Sequence, residues 1–266
     1  MKRYHVLDVI RGITLCSMIL YHAVWDFVYM FGHDWKWYRS DFAYAWQQSI
    51  CWSFILLSGF CFSLGKKRVR RGLTVLAAGT IVSLVTRIAM PGQSVRFGVL
   101  TMLGSSMLLL AFLEMLYGKV QPKNLGTCGT EENKSEHGKY AGWASVFSFL
   151  LFFITRGINQ RYLGFETLCL VELPNALYNK GDLMTYIGFM SEEFYSTDYF
   201  SIMPWFFLFL TGYFLFHCLN RKQGPGYLGK ISVDGKVFRF MGRHSLGIYL
   251  LHQPLIYFAL LIVHKI

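Results

Sequence analysis

The hydropathy pattern divides the chain into seven apolar stretches separated by polar or turn-rich segments. Windows of about 19 residues predict spans over roughly 7–29, 43–64, 72–90, 98–118, 140–157, 200–219 and 244–263. Each stretch is close to the length that a helix needs to cross the hydrocarbon core of a bilayer, about 20 residues. The pattern therefore predicts an all-α fold: a polytopic integral membrane helix bundle with about seven transmembrane helices.

Composition excludes a water-soluble enzyme. The chain has 266 residues, of which 54% are hydrophobic and 15% are charged, whereas soluble proteins carry about 25% charged residues. The first apolar stretch is too long for a signal-peptide core and is interpreted as a retained span. We expect a single transmembrane domain over residues 1–266.

The net charge of +11 indicates how the chain is oriented in the membrane rather than that it binds nucleic acid, because the basic residues lie between the spans. Most of the 26 lysines and arginines fall on one side if the amino terminus is cytoplasmic. Since cytoplasmic loops carry such an excess, we predict a multi-pass cell-membrane protein with its carboxyl terminus outside. The long outer segment 156–198 is acidic overall and is either a binding element or a solvated connector.

Four ionisable residues lie in the first apolar stretch: Asp8, Arg11, His22 and Asp26. At about 100° per residue they fall within roughly 60° of one another around a helix, and His22 lies about 16 Å beyond Arg11. Ionisable groups at membrane depth almost always face a bundle interior or an aqueous cavity. The i, i+4 spacing predicts that Asp26 orients the His22 imidazole, which can then exchange a proton near neutral pH.

Two other interpretations of these residues stay open. Asp8 and Arg11 can form an interfacial ion pair while His22 and Asp26 make a buried structural hydrogen bond. The HxxxD spacing also places two metal ligands on one helical face. No matching pair elsewhere in the sequence completes such a site, so no metal is predicted.

The segment RGITLCSMILYH resembles the first-span motif of membrane acyltransferases, in which a histidine follows an Arg-Gly pair by eleven residues. Four further stretches resemble, more narrowly, the heparan-alpha-glucosaminide N-acetyltransferase catalytic domain family and its small bacterial relatives. They are YHAVWDFVYMFG, FILLSGFCFSLG, DYFSIMPWFFLFLTGY and MGRHSLGIYLLHQP. Together they extend from the first span to the last in the expected order.

The resemblance implies a transmembrane enzyme that moves an acetyl group from cytosolic acetyl-CoA to a sugar amine or hydroxyl on the other side of the membrane. It also implies a catalytic histidine on or after the first span. His22 matches the general acyltransferase position and His33 the position used by the lysosomal relatives. We favour His22 as general base, with His33 as its competitor; a covalent acetyl-histidine intermediate stays open.

Candidate residues for the donor lie near the inner side of the predicted bundle. Arg243 and His244, together with Arg11, are candidates for the phosphates of CoA, because a guanidinium forms paired, charge-assisted bonds to phosphate. Basic residues at inner helix ends also anchor topology without binding a substrate. His252 lies eight residues beyond His244, within about 80° of it around a helix, so both can line the same cavity. A helix kinked at Pro254, with His252 as a structural histidine, is the equal alternative.

Candidate residues for a glycan acceptor open the sixth predicted span: Asp198, with Trp205 as a ring that could pack on a sugar. Aromatic residues there are equally typical of a membrane interface. One departure from the family stands before the fourth span, where small relatives have FGILH and this chain has Thr101 in place of the histidine. Lipids are the other expected partners, no nucleic acid is expected, and a homo-oligomer stays open.

A small proton-coupled transporter is the alternative function. Such a carrier would also place arginine, histidine and aspartate along an intramembrane face. Many carriers show inverted internal repeats, and none is evident in this sequence. The sequence therefore favours the acetyltransferase.

Overall fold

A computed structural model of the chain describes residues 4–120, 140–223, 227–231 and 235–265. Most of the predicted inner segment between Lys119 and Lys139 lies outside these ranges. The helices are α1 (His5–Trp25), α2 (Asp41–Phe62), α3 (Arg68–Ala89), α4 (Val99–Val120), α5 (Ala141–Ile154), α6 (Asp182–Ile187), α7 (Ile202–Gln223), α8 (Lys236–Arg243) and α9 (Ser245–Lys265). Two strands, β1 (Tyr162–Phe165) and β2 (Leu168–Glu172), form an antiparallel pair.

Six helical segments are long and apolar enough to cross a membrane, which confirms a polytopic all-α membrane protein. They are His5–Met30, Arg68–Ala89, Val99–Tyr117, Ala141–Gln160, Ile202–Asn220 and Ser245–Val263. The seventh predicted span, 43–64, forms α2, which has 22 residues but is less apolar than these six. Large apolar side chains such as Ile88, Trp143 and Leu255 are exposed on the spans, as expected for a surface that lipid covers.

The chain divides into two compact units, Met1–Leu57 with Gly224–Ile266 and Ser58–Gln223. In the first unit, α1 packs on α8 through two glycines. A side chain at Gly12 would collide with the backbone carbonyl of Phe238, and one at Gly242 would collide with that of Asp8. Only glycine therefore allows these two helices to approach so closely.

Helices α1 and α9 run parallel within this unit. His22 contacts His252, Asp26 bonds to Gln253, and the Phe31 and Tyr257 ring centroids lie 6.2 Å apart, so both helices advance in the same direction. Two parallel spans require an odd number of crossings between them. Among the described residues α3, α4, α5 and α7 supply four, and a crossing by α2 would make the number odd, in agreement with a count of about seven.

The carboxyl-terminal end of α1 leaves α-helical geometry. Residues Asp26–Met30 form a π-helical turn, closed by a hydrogen bond from the Phe31 amide to the Asp26 carbonyl. Such wide turns insert one extra residue into a helix and recur at functional sites. The side chains after Asp26 are therefore rotated relative to the regular helix that the sequence predicts.

In the second unit, α3 packs on α4 with three glycines, Gly72, Gly79 and Gly104, at the contact. Helix α5 packs on α7, where the Ser145 hydroxyl donates to the Thr211 carbonyl at 3.1 Å. Small residues bring helix backbones close in a membrane, where packing and hydrogen bonds hold helices together.

The long outer segment is folded. The β1–β2 hairpin follows α5, and the Tyr178 hydroxyl donates to the Ile158 carbonyl at 2.6 Å. The Tyr186 hydroxyl reaches α4, donating to Ser105 Oγ at 2.7 Å. This hairpin lies in segment 156–198. For that segment the sequence left two roles open, a binding element or a solvated connector.

Candidate functional site

Two imidazoles are in contact at membrane depth in the first unit. The ring centroids of His22, on α1, and His252, on α9, lie 4.9 Å apart with an interplanar angle of 61°. His252 is only 7% exposed, and Pro254 follows it inside α9. Proline lacks the amide that would bond to the Leu250 carbonyl, so this part of the helix departs from regular hydrogen bonding. The structure thus brings together two histidines that are 230 positions apart in the sequence.

The carboxylate of Asp26 has a partner that the sequence did not predict. Gln253 Nε2 donates to Asp26 Oδ1 at 2.6 Å, and Asp26 is 1% exposed. The described contacts of this carboxylate do not include His22, so the expected Asp26–His22 hydrogen bond is replaced by one to α9. The π-turn begins at Asp26, where the regular i, i+4 geometry ends.

Three buried acceptor atoms cluster here without a donor from the described part of the chain. They are Asp26 Oδ2, Gln253 Oε1 and His252 Nε2. A buried acceptor that lacks a donor is costly, and most such atoms in folded proteins are paired. The arrangement therefore suits a hydroxyl or amine that donates hydrogen bonds from outside the protein.

His33 lies apart from this pair. It is exposed in the loop after the π-turn, and its ring stacks on Phe27 with centroids 3.8 Å apart. The Trp35 ring contacts the same phenylalanine at 4.9 Å. His33 is thus exposed and held by an aromatic contact, while His22 is partly buried beside His252.

A second group of charges forms where α1 meets α8. Asp8 is buried and pairs with two guanidinium groups, Arg11 Nη1 at 3.9 Å and Arg243 Nε at 3.6 Å. The arginine side chains stay 23% and 37% exposed. The structure therefore brings together Arg11 and Arg243, the two arginines suggested for the phosphates of CoA. It also contains the Asp8–Arg11 ion pair that the alternative, purely structural interpretation expects.

His244 does not share the environment of His252. It ends α8, is exposed, and contacts Phe240 at 4.7 Å between ring centroids. Helix α9 begins at Ser245, and the Ile248 amide donates to the His244 carbonyl at 3.0 Å, so His244 directly precedes the helix that holds His252. The expectation that both histidines line one cavity stays a prediction.

Asp198 in the second unit caps a helix. Its Oδ2 accepts a hydrogen bond from the Val99 amide at the start of α4, at 3.1 Å, and its backbone carbonyl accepts one from the Ser196 hydroxyl. A carboxylate at a helix amino terminus is favourable. Burial nevertheless raises the pKa of the Asp198 carboxyl to about 6, although the Val99 hydrogen bond opposes this shift.

The raised pKa predicts how pH acts on the stability of this unit. Between about pH 4 and 6 the folded chain holds a proton on Asp198 that the unfolded chain has released, so stability falls as pH rises through that window, by at most about 3 kcal/mol. In Asp198→Asn, whose amide oxygen can still accept from Val99, we expect this dependence to disappear. Thermal unfolding in detergent at pH 4 to 7 measures it. Asp182→Asn, which changes an exposed carboxylate, is the control; equal pH dependence in wild type and Asp198→Asn would contradict the assignment.

Trp205 is an interior residue. It is 4% exposed, the guanidinium of Arg156 lies 4.9 Å from its ring centre, and Phe152 and Phe200 contact it. A ring that packs on a sugar needs an open face. The acceptor role of Trp205 stays a prediction, and this structure gives the ring protein partners instead.

The comparison with known protein families agrees with the resemblance read from the motifs. The sequence matches the family described as heparan-alpha-glucosaminide N-acetyltransferase, catalytic, over residues 3–123 and 140–254. The chain belongs to this family. Neither a search of curated proteins nor one of solved structures gave a significant match.

Membership in the heparan-alpha-glucosaminide N-acetyltransferase family points to acyltransferase activity in a membrane, and the family in general uses acetyl-CoA as donor. The match includes α1, α8 and the first half of α9 as far as Pro254, and hence the imidazole pair and the Asp8 group. Within the ranges that the structure describes, no three His, Cys, Asp or Glu residues are arranged to hold a metal ion.

Thr101 marks this chain's departure from the small members of the heparan-alpha-glucosaminide N-acetyltransferase family. Its hydroxyl is buried near Gly79, and its backbone carbonyl accepts from the Tyr186 hydroxyl at 3.1 Å. A threonine hydroxyl can form hydrogen bonds but does not titrate near neutral pH. The position is therefore filled by a side chain without acid-base function.

The sequence did not predict the contacts of Gln253, Gly12 and Gly242 in the first unit. Gln253 left a signal, since a glutamine beside a histidine is unusual inside an apolar span. The sequence gives no indication of the contacts of Gly12 and Gly242, because those contacts depend on which helix packs against each glycine.

Proposed function

We propose that the protein transfers an acetyl group from cytosolic acetyl-CoA to a sugar amine or hydroxyl on the extracytoplasmic side of the membrane, with His22 as general base. The observation that carries the proposal is the His22–His252 contact, near buried acceptors that lack a donor in the described structure, in a chain of this family. An imidazole beside a bound hydroxyl or amine can take its proton as the bond to the acetyl carbon forms.

The acceptor would bind beside the imidazoles. Its hydroxyl or amine hydrogens would satisfy Asp26 Oδ2 and Gln253 Oε1, which lack donors in the described structure. These contacts would hold the attacking atom against His22, and positioning of this kind accounts for much of enzymatic rate enhancement. His33, exposed and stacked on Phe27, is the competing base.

The donor phosphates would bind at the Asp8 group. Arg11 and Arg243 converge there while both keep part of their surface exposed. Asp8 fixes the two side chains, so less rotamer entropy is lost when an anion binds. His22 lies about 16 Å along α1 from Arg11, a distance that an extended pantetheine arm can bridge.

Donor binding is expected to depend on Arg243. Arg243→Gln should weaken CoA binding roughly 10- to 100-fold, since one charge-assisted hydrogen bond is lost, while maximal turnover changes less. Titration with CoA and a KM measurement for acetyl-CoA test this. Lys236→Gln removes one exposed charge from the same helix and should leave affinity near that of the wild type. Unchanged CoA affinity in Arg243→Gln would make Arg243 a topology anchor.

The proposed direction of transfer requires a cytoplasmic amino terminus. The parallel packing of α1 and α9 supports an odd number of crossings between them, and basic residues favour the inner side. Topology reporters placed after Lys66 and near Glu192 should therefore report opposite sides, inside and outside respectively. Reporters that agree with each other would refute this topology.

The test of the function itself is transfer from labelled acetyl-CoA by the purified protein in vesicles or detergent. We expect thioester cleavage that depends on an added sugar acceptor. A proton-coupled carrier, the alternative function, would leave the thioester intact.

A further inference from the structure

The imidazole of His252 has one nitrogen that is hydrogen-bonded and one that is not. Its Nδ1 bonds to the backbone carbonyl of Tyr249. A carbonyl oxygen only accepts, so Nδ1 carries the hydrogen and, in the neutral ring, Nε2 is a bare acceptor. The backbone of α9 therefore fixes the tautomer of this histidine.

The bare nitrogen is buried beside His22. His252 is more than nine-tenths buried, and its Nε2 has no hydrogen-bond partner in the described part of the chain. The two ring centroids lie 4.9 Å apart. Two imidazoles joined by an N–H···N bond of about 2.9 Å have centroids about 5 Å apart, so the observed separation matches the one that such a bond requires.

A general base on this site needs a group that holds its second nitrogen, as in catalytic triads. The sequence assigned that role to Asp26, but Asp26 accepts its hydrogen bond from Gln253. Asp26 therefore does not hold the second nitrogen of His22, and His252 Nε2 is an acceptor available for that role.

We infer that His252 is the positioning residue for His22, an assignment that rests on the proposed function. The His22 N–H donates to His252 Nε2, which leaves the other His22 nitrogen bare toward the acceptor. That nitrogen takes the acceptor's proton as the acceptor oxygen or nitrogen bonds to the acetyl carbon. The C–S bond breaks, and the proton passes from His22 to the departing CoA thiolate, while His252 keeps its own proton on Nδ1.

Two substitutions of His252 separate positioning from packing. His252→Phe keeps a ring but removes the acceptor, and turnover should fall about 10- to 100-fold, as for a misoriented catalytic group, with little change in KM for acetyl-CoA. His252→Gln supplies an amide oxygen as acceptor and should restore most of the turnover. Equal losses in both variants, or a raised KM with unchanged turnover, would overturn the assignment; the second result would make His252 a donor-binding residue.

A spectroscopic readout tests the same assignment without activity. In protein labelled with ¹⁵N-histidine, the His22 signals can be identified by their loss in His22→Ala. We expect a single His22 tautomer in the wild type and in His252→Gln, and a mixture of tautomers in His252→Phe. An unchanged His22 tautomer in His252→Phe would overturn the assignment. Should His252→Phe not fold, His252→Leu takes its place.

The failures of the two proposals are distinguishable. If His22→Ala retains wild-type transfer, the proposed chemistry at His22 is wrong. If His22→Ala is inactive while His252→Phe turns over at the wild-type rate, only the positioning role is wrong. His5→Ala, which removes an exposed imidazole at the start of α1, should match the wild type in both measurements.

Discussion

Replacement of His22 by alanine is expected to reduce acetyl transfer about 100-fold or more, the usual loss for a general base. The side chain lies beside His252, with ring centroids 4.9 Å apart, and alanine removes the imidazole that is proposed to take the acceptor's proton. The protein should stay folded, because His22 has no hydrogen bond in the described structure. Initial rates with labelled acetyl-CoA, together with circular dichroism of the same sample, measure both expectations.

The control for this substitution is His5→Ala, which changes an exposed histidine of the same helix. His33→Ala completes the set. Loss of transfer in His33→Ala with normal rates in His22→Ala would assign the base to the exposed imidazole stacked on Phe27. Full activity in both variants would refute a histidine base at either position.

Replacement of Gly242 by leucine is expected to have the largest effect on the fold of the first unit. A side chain at this position collides with the Asp8 backbone carbonyl of α1, so α8 has to move away. Overpacking of this kind costs about 1–3 kcal/mol. Because Arg243 is the next residue, its contact with Asp8 should be lost as well, and CoA binding with it.

A matched control exists on the following helix. Gly247, in α9, has nothing within 4 Å of the position that a side chain would occupy. Gly247→Leu should therefore unfold at the wild-type temperature or slightly above, since leucine favours a helix more than glycine does. Thermal unfolding in detergent and CoA titration of both variants test the comparison. Equal behaviour of the two variants would contradict the close α1–α8 packing.

The spans were predictable because membrane helices must be both long and apolar. Six predicted stretches coincide with membrane-length helices in the structure. The stretch at 43–64 was predicted as a span like the others, and Gln47 and Gln48 lower the hydropathy of the helix that it forms. A crossing by this helix is consistent with the parallel direction of α1 and α9, which is a property of the fold.

The candidate site was predictable only where it lies on one helix. Asp8 and Arg11 are three residues apart, and their ion pair follows from that spacing. The contacts with residues distant in the sequence could not be predicted from helical spacing. Gln253 is 227 positions from Asp26, and Arg243 is farther still from Asp8. At His244 the helical spacing did not reveal a difference in burial, since His244 is exposed whereas His252 is only 7% exposed.

The π-turn at Asp26–Met30 separates the two candidate bases along the chain. His22 precedes the inserted residue and His33 follows it. Excising a single residue from the turn would restore ordinary helical winding and swing the downstream loop by about 100°. His22 would keep its place beside His252 while His33 would be carried elsewhere, so a one-codon deletion could uncouple the two imidazoles without altering either of them.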